Sequence, residues 1–436
     1  MAGEWQTRKI GDIGKVVTGK TPSTTRPENF DGDYPFITIP DLDGRRDIPM
    51  SARTLSELGA ETMRSCRLPA GAVMMSCIAT IGKCGITTRP SFTNQQINSV
   101  ICGDDVDPKF LYYCFTQLGP ALDAAGGGGS VYTNVSKSRF SAIEVALPPL
   151  KEQQAIANIL GSLDDKIEMN RKMNRTLEAI AKAIFKSWFV DFDPVRAKVE
   201  GRNPGLPKNI TDIFPNFFQD SELGEIPKGW NVSNLGDIAE VIDCLHSKKP
   251  ERQASGKPLL QLWNIRDDSL IDMTDTYFIT EDDYSQWISR MEAIPGDCVI
   301  TNVGRVAATA QIPIGLNAAL GRNMTGIRCR VSFLFPTFLI ECLHSSAMKE
   351  EIAQKTDTGT ILDALNVRNI PKLRIIKPSN NIASQFEFTC RPLRLKMERN
   401  FSISIQFTNL RDTLLPKMIS GEFSIPDAAR IIERVV

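Results

Sequence analysis

The stretch "GKVVTGKT", Gly14 to Thr21, carries the spacing G-x-x-x-x-G-K-[ST] of a phosphate-binding loop. In such a loop glycine amides wrap the phosphates, the lysine (here Lys20) reaches them, and the hydroxyl (Thr21) holds Mg²⁺. That chemistry needs a buried strand before the loop and a helix opening straight after it. Here "RKIGDI" upstream is a poor central strand, and Pro22 and Pro27 bracket "STTR" downstream. No acidic motif closes a later apolar strand at a convincing distance. A P-loop nucleotide hydrolase would therefore rest on this one match, and a loop rich in hydroxyls, amides and lysine also suits DNA phosphates.

Other catalytic signals are weaker still. "LPPL" (Leu147 to Leu150) has the prolines of the methyltransferase pattern [ND]-P-P-[FY] without its amide or aromatic. A Ser-His-Asp arrangement would have to draw on His246 or His344, whose surroundings carry no such pattern. The ten cysteines form no C-x-x-C pair and there are only two histidines, so no metal site is expected. The thiols read as free in a reducing compartment. "GGGGS" (Gly126 to Ser130) lacks G-x-G-x-x-G spacing and reads as a mobile loop. Lys+Arg and Asp+Glu both number 51, which excludes an overall basic field; DNA would be held by local patches. No signal peptide opens the chain, and no apolar run approaches the ~20 residues of a membrane span. These features point to a cytoplasmic protein that binds rather than reacts.

The elements that must position such residues are written twice. At 436 residues two or three domains are expected, and an internal repeat has a period of about 225–230 residues. "WQTRKIGDIGKVV" (Trp5 to Val17) aligns with "WNVSNLGDIAEVI" (Trp230 to Ile242), and "PAGAVMMS" (Pro69 to Ser76) with "PGDCVIT" (Pro295 to Thr301). "IGK" (Ile81 to Lys83) is matched to "VGR" (Val303 to Arg305), "DPKFLYY" to "FPTFLIE", and "TNVSKSRF" to "LNVRNIP". Where the first copy has Gly14, Gly19, Lys20 and Thr21, the second has Ala239, Cys244, Leu245 and His246, so every phosphate-loop residue is replaced. Each copy reads as an α+β globule with many short strands.

A helical segment follows each globule. From Lys151 to Trp188 only Gly161 interrupts, allowing a helix of about 57 Å at 1.5 Å per residue. Steps of four and three give the seam Ile156, Leu160, Leu163, Ile167, Asn170, Asn174, Leu177, Ala181, Ile184, Trp188. The second seam is Phe386, Cys390, Leu393, Met397, Asn400, Ser404, Phe407, Arg411, Leu414, Met418. Both seams have a polar middle (Asn170, Asn174; Asn400, Ser404), as expected of helices that pair and fix register there, the alternative being that each helix packs only on its own globule. Periodicity leaves parallel and antiparallel pairing open. Pro392 and Pro416 are expected to disturb the second helix, and Gly421 to stop it. Residues 191–228, with five prolines including Pro194, Pro207 and Pro215, read as an extended connector. Phe185, Trp188, Phe189 and Phe192 read as core where helix meets connector, with partner docking as the alternative.

Globule, long helix, globule, long helix is the plan of type I restriction-modification specificity subunits, which this chain resembles over nearly its whole length. The resemblance is carried by "TGKTPS" (Thr18 to Ser23), "LPPLKEQQAIANIL" (Leu147 to Leu160) and "LDDKIEMNRKMNRTLEAIAKAIFKSWFVDFDPV" (Leu163 to Val195). "DSELGEIPKGW" (Asp220 to Trp230) and "LLPKMISGEF" (Leu414 to Phe423) also fit. "IKPSNNIASQF" departs from the family's form at the second helix entry and leaves its start open. The resemblance implies an α+β fold with two target-recognition domains (1–147 and 229–377). It also implies two long helices (148–190 and 378–423) in an antiparallel coiled coil, a linker (191–228) and a tail (424–436).

It further implies double-stranded DNA as ligand, one half-site per globule, with the coiled coil setting their spacing. Two modification subunits would bring S-adenosylmethionine and adenine methylation, and two restriction subunits ATP- and Mg²⁺-dependent translocation and cleavage. This chain would be non-catalytic and hold no cofactor. Base reading needs Asn, Gln, Arg or Lys at base edges, with amides and hydroxyls on phosphates. In the first globule the candidates are Lys20, Thr21, Ser23, Asn94, Gln95, Gln96, Tyr132, Asn134 and Lys137. In the second they are Ser247, Lys248, Lys249, Asn302, Arg305, Arg322, Asn323 and Arg368. The rival readings are the nucleotide hydrolase and a coiled-coil scaffold that reads no DNA.

Overall fold

The computed structural model describes residues 5–125, 134–357 and 363–435. It forms two compact units, Met1–Asn170 with Ile403–Val436, and Arg171–Ser402. Each unit holds one globule and one stretch of each long helix.

In the first unit a five-stranded sheet runs in the order Gly14–Thr18, Ile97–Cys102, Val73–Ser76, Cys84–Thr87, Asp47–Ile48. The apolar run after Pro69 becomes its central strand because both faces are covered. Val73 and Met75 enter a core with Phe110 and Phe115 of the helix Pro108–Ala125. Met74, pointing the other way, joins Phe36, Leu42 and Phe92. Arg53–Leu55, Phe30–Ile37 and Phe92–Thr93 make a three-stranded sheet. Gln6–Lys9 pairs antiparallel with Glu144–Leu147 and brings the globule's two ends together.

The second unit repeats this plan. Its four-stranded sheet runs Ala239–Asp243, Met324–Cys329, Cys298–Thr301, Thr309–Gln311. Cys298 and Ile300 enter one core, Val299 the other. Lys257–Leu260 lies between Phe278–Ile279 and Ala319–Leu320, and Asn231–Asn234 pairs with Arg374–Lys377. Two alignments made from sequence are corrected. The Val135 and Leu365 amides bond the Cys77 and Asn302 carbonyls, so Val135 answers Leu365 rather than Val367; the other correction lies in the turn after the central strand. Ser76 Oγ donates to the Thr80 carbonyl and Thr301 Oγ1 to that of Arg305. Ser76 and Thr301 amides bond the Lys83 and Ala308 carbonyls. Arg305 therefore answers Thr80, not Lys83; the two similar tripeptides sit at different points of equivalent turns.

The long helices are Leu150–Phe189 and Asn380–Ile419. Contrary to expectation, the second runs through Pro392 and Pro416. Both prolines, and the residues four before them (Phe388 and Asp412), lie on its exposed face, where a carbonyl that loses its amide partner meets water. After Ile419, Gly421 takes φ 73°, the left-handed turn that ends the helix. The tail then forms the helix Ile425–Val435, with Ala428 buried in the first core.

Within the first unit Leu163 and Ile167 pack on Phe407, Asn170 Nδ2 donates to Ser404 Oγ at 3.1 Å, and Arg411 pairs with Asp164 at 2.6 Å. Within the second, Asn174 Nδ2 donates to the Met397 carbonyl at 3.0 Å, and Phe185 meets Phe386 at 5.7 Å. Numbers rise on one helix as they fall on the other, so the pairing is antiparallel in each unit.

Residues 191–228 are not an extended connector. They form the helices Asp193–Val199 and Lys208–Thr211 and the ribbon Phe218–Gln219 with Ile226–Pro227. Val195, Phe214 and Ile226 are buried with Phe185, Trp188, Phe189, Phe192 and Trp230, so the aromatic cluster is core. Prolines mislead here because one at a first helical turn, as Pro194 is, favours a helix.

Candidate nucleic-acid interface

The register of the first sheet decides where its loops meet. Thr18 stands opposite Asn98, and Ser76 opposite Ile97. The loops after Thr18, after Ser76 and before Ile97 therefore leave the same end of the sheet. A bridge from Ile78 to Asn134 adds a fourth segment. Cross-bonds tie them: Thr21 Oγ1 to Gln95 Oε1 at 2.7 Å, the Cys77 amide to the Gln96 carbonyl at 2.8 Å, and the Val135 amide to the Cys77 carbonyl at 2.9 Å. Lys20, Thr21, Ser23, Gln95, Asn134 and Lys137 are exposed on this surface; Asn94 and Gln96 are half-buried and bond each other at 2.9 Å. Lys137 opens the helix Lys137–Ser141, capped by Ser136. Tyr132 lies outside the described residues, as does the glycine run.

The phosphate-loop match fails on geometry. Gly14–Thr18 is a strand, and the next helix-like turn is the three-residue Pro27–Asn29. The Gly19 amide bonds the Ile97 carbonyl at 3.2 Å and the Lys20 amide the Thr93 carbonyl at 3.0 Å, so neither is turned to a phosphate. Gly19 is explained by crowding: a Cβ there would lie 2.2 Å from the Asn94 oxygen.

The second globule builds the equivalent surface. Asp243 stands opposite Thr325 and Thr301 opposite Met324, while Val303 bridges to Ala364. The Asn302 amide bonds the Asn323 carbonyl at 2.8 Å, and the Leu365 amide that of Asn302 at 2.9 Å. Cys77 and Asn302 thus hold the same place, as do Gln96 and Asn323. Lys248, Lys249, Arg305, Arg322, Asn323 and Arg368 are exposed and Ser247 half-buried. Asn302 is a correction: its side chain is buried, donating to the Leu365 carbonyl and accepting from Thr325 Oγ1 at 3.0 Å. It joins two loops rather than facing outward. Arg305 is also engaged, by Asp267 and the Ile265 carbonyl.

Sequence reasoning missed Trp263. It is 50% exposed, and its indole N–H is held by the Asp275 carbonyl at 3.1 Å. Lys249 Nζ lies 4.0 Å from the Tyr277 ring centre and 5.2 Å from that of Trp263; the Arg252 guanidinium lies 5.7 Å from Tyr277. Partial burial, then Arg252, holds the Lys249 ammonium below its ordinary pKa. The capping boxes Thr38/Asp41 and Gln261/Asn264 are equivalent, so Trp263 occupies the place of Pro40. Basic residues interleaved with aromatics were the available signal.

Asp243, Cys244 and His246 bring three possible metal-ligand atoms within 4.8 Å of one another. The Asp243 carboxylate already faces His246 at 2.8 Å and the Arg290 guanidinium at 3.7 Å, and burial pushes the Cys244 thiol pKa up. A cation there would compete with the arginine and need a thiolate the site disfavours. No helix among the described residues is long and apolar enough to cross a membrane.

The comparisons with known proteins agree on one family. Residues 2–179 match the type I restriction modification DNA specificity domain. The chain is 30% identical over 435 residues to the type I restriction enzyme MjaIX specificity subunit of Methanocaldococcus jannaschii, covering 97% of this chain and 94% of that one. It is 34% identical over 178 residues to the HindI specificity subunit of Haemophilus influenzae, 40% of this chain and 39% of that one. The fold is that of a type I restriction-modification S subunit from M. genitalium, at TM-score 0.56 and 15% identity over 95% of this chain and 96% of that one. A match spanning nearly both chains, joined to two repeated α+β globules and paired long helices, places this protein in the family of type I restriction-modification DNA specificity subunits.

Proposed function

We propose that the chain reads an asymmetric two-part DNA target, each globule contacting one half-site through its four-loop surface. The antiparallel helix pair would set the spacing of the halves. The observation that carries this is the equivalence of the two loop clusters: the same backbone bonds display Gln95 and Gln96 in one copy and Arg322 and Asn323 in the other. Equal scaffolds bearing different side chains suit two different half-sites, and half-sites one helical turn apart lie about 34 Å centre to centre. Lysines and hydroxyls such as Lys20, Thr21 and Lys248 suit phosphate oxygens.

On this reading the chain does no chemistry. Two modification subunits supply S-adenosylmethionine-dependent adenine methylation, two restriction subunits supply ATP- and Mg²⁺-dependent translocation and cleavage, and the assembly works in the cytoplasm. The test is to co-express the chain with its modification subunit and map methylated adenines across the host genome. One motif of two short unlike blocks with a fixed spacer is expected, and exchanging residues 1–146 for another such globule should change one block only. A complex that forms but adds no methylation, or a motif indifferent to the exchange, would favour a scaffold without DNA reading.

A further inference from the structure

The two globules are seated on their helices by polar contacts at equivalent positions but of opposite charge. Counted from Leu150 and Asn380, Asp164 and Arg394 are each the fifteenth residue of a forty-residue helix. Counted from Pro108 and Pro336, Tyr113 and Glu341 are each the sixth residue of the globule helix they face. In the first unit Tyr113 donates its hydroxyl to Asp164 at 2.6 Å. In the second the globule supplies the acid: Glu341 lies 3.6 Å from Arg394, both almost wholly buried.

A second contact is reversed in the same way. The Ile86 amide bonds the Arg46 carbonyl and the Gln311 amide that of Ser269, at matched points of the two sheets. Arg46, 7% exposed, reaches from the globule to Asp165 of its helix at 2.7 Å. At the corresponding place in the second unit Arg394 reaches from the helix to the Ser269 carbonyl at 3.0 Å and to Gln311 at 3.1 Å. Gly161 belongs to this fit, because a Cβ there would lie 2.9 Å from Arg46 Nη1; its counterpart, three residues before Arg394, is Arg391.

We infer that these contacts form a charge code that fixes which globule seats on which helix. The first helix offers carboxylates to a globule carrying Arg46 and Tyr113; the second offers an arginine to a globule carrying Glu341 and Gln311. A globule moved to the other position brings like charges together at these contacts, Arg46 against Arg394 or Glu341 against Asp164; each loses its partner across the contact, Arg46 keeping only Asp47 of its own globule and Asp164 only Arg411. The code excludes misplacement of the globules while the chain folds and confines exchange of recognition globules to like positions. It stands whether or not the globules read DNA.

The test is a full chain in which the first globule also replaces residues 229–377 and Arg391→Gly makes room for Arg46, prepared with and without the paired changes Arg394→Asp and Leu395→Asp, which give the second helix the first helix's carboxylates. The same pair is made in the unaltered chain, and thermal unfolding midpoints are compared. The paired changes should lower the midpoint of the unaltered chain by several degrees and raise that of the duplicated chain, a reversal of sign that general loss of packing cannot produce. A duplicated chain that is no more stable, or no better folded, with the carboxylates than without them overturns the inference.

Discussion

Asn400 donates its side-chain amide to the Asn174 carboxamide oxygen at 2.9 Å, and Asn174 donates onward to the Met397 carbonyl at 3.0 Å. Both asparagines are buried, so each bond replaces water that cannot return. Asn400→Leu alone strands a buried acceptor on Asn174 and should destabilise the protein by about 1–3 kcal/mol. Changing both to leucine should recover that loss or exceed it, because neither leucine side chain needs a hydrogen-bond partner, while the Asn170–Ser404 bond is kept. Chemical denaturation of the two single variants and the double checks this; a double variant less stable than either single one would contradict it.

How much of this was legible in the sequence differs from element to element. The repeat was, because buried strands and seam positions must keep apolar side chains at fixed spacing, as Val73–Ser76 and Cys298–Thr301 do. The polar middle of the seam was legible for the same reason. The turn after each central strand was not: its shape is held by backbone bonds from Ser76 and Thr301, which leave the intervening letters free, so a chance likeness of tripeptides misled. Asn302 and Asn94 look alike as letters, and only tertiary packing buries one. The same holds for the folded stretch 191–228, whose burial depends on Phe214 finding Trp188, a contact that no local pattern reports.

Acid should weaken the second unit in two stages. Burial, with Lys182 and other cations nearby, holds the His344 pKa down at about 4 from an ordinary 6.5, and Ser269 Oγ meets its Nδ1 at 3.1 Å. A lowered folded pKa means the unfolded chain takes the proton first, so stability is complete above about pH 6.5 and falls as pH drops towards 4. Hydrogen bonds from Arg374 hold the Glu351 pKa at about 2, so its contribution is lost later, between the ordinary carboxylate range and pH 2. His344→Asn should flatten the first stage and leave the second. Denaturation midpoints measured from pH 7.5 to 3 decide; an unchanged slope above pH 4 in the variant would count against His344.

The exposed indole of Trp263 is fixed by the Asp275 carbonyl and flanked by Lys249, giving a rigid aromatic face beside a cation. Stacking on a base is worth about 1–3 kcal/mol where such a face is used. Trp263→Ala should therefore weaken binding of the assembled complex to its own target at least several-fold while leaving the thermal midpoint nearly unchanged. Binding isotherms on target DNA, set beside thermal unfolding, separate the two effects. Unaltered affinity would show that the platform only holds its own loop together.

Lys20 distinguishes the phosphate-loop match from the proposed DNA-reading surface. Its amide is engaged by Thr93 and its side chain is exposed at the sheet end where Gln95 and Asn134 gather. Lys20→Ala should leave the chain without measurable change towards ATP or GTP. It should weaken DNA binding about equally on target and non-target sequences and reduce the slope of log affinity against log salt by about 1, the effect of losing one phosphate contact. On the proposed reading Gln95→Ala should act differently, weakening target DNA far more than non-target DNA, as the loss of a base-edge contact would. Affinities of both variants at three salt concentrations test the pair together. Nucleotide binding that disappears with Lys20 would return the chain to the hydrolase class.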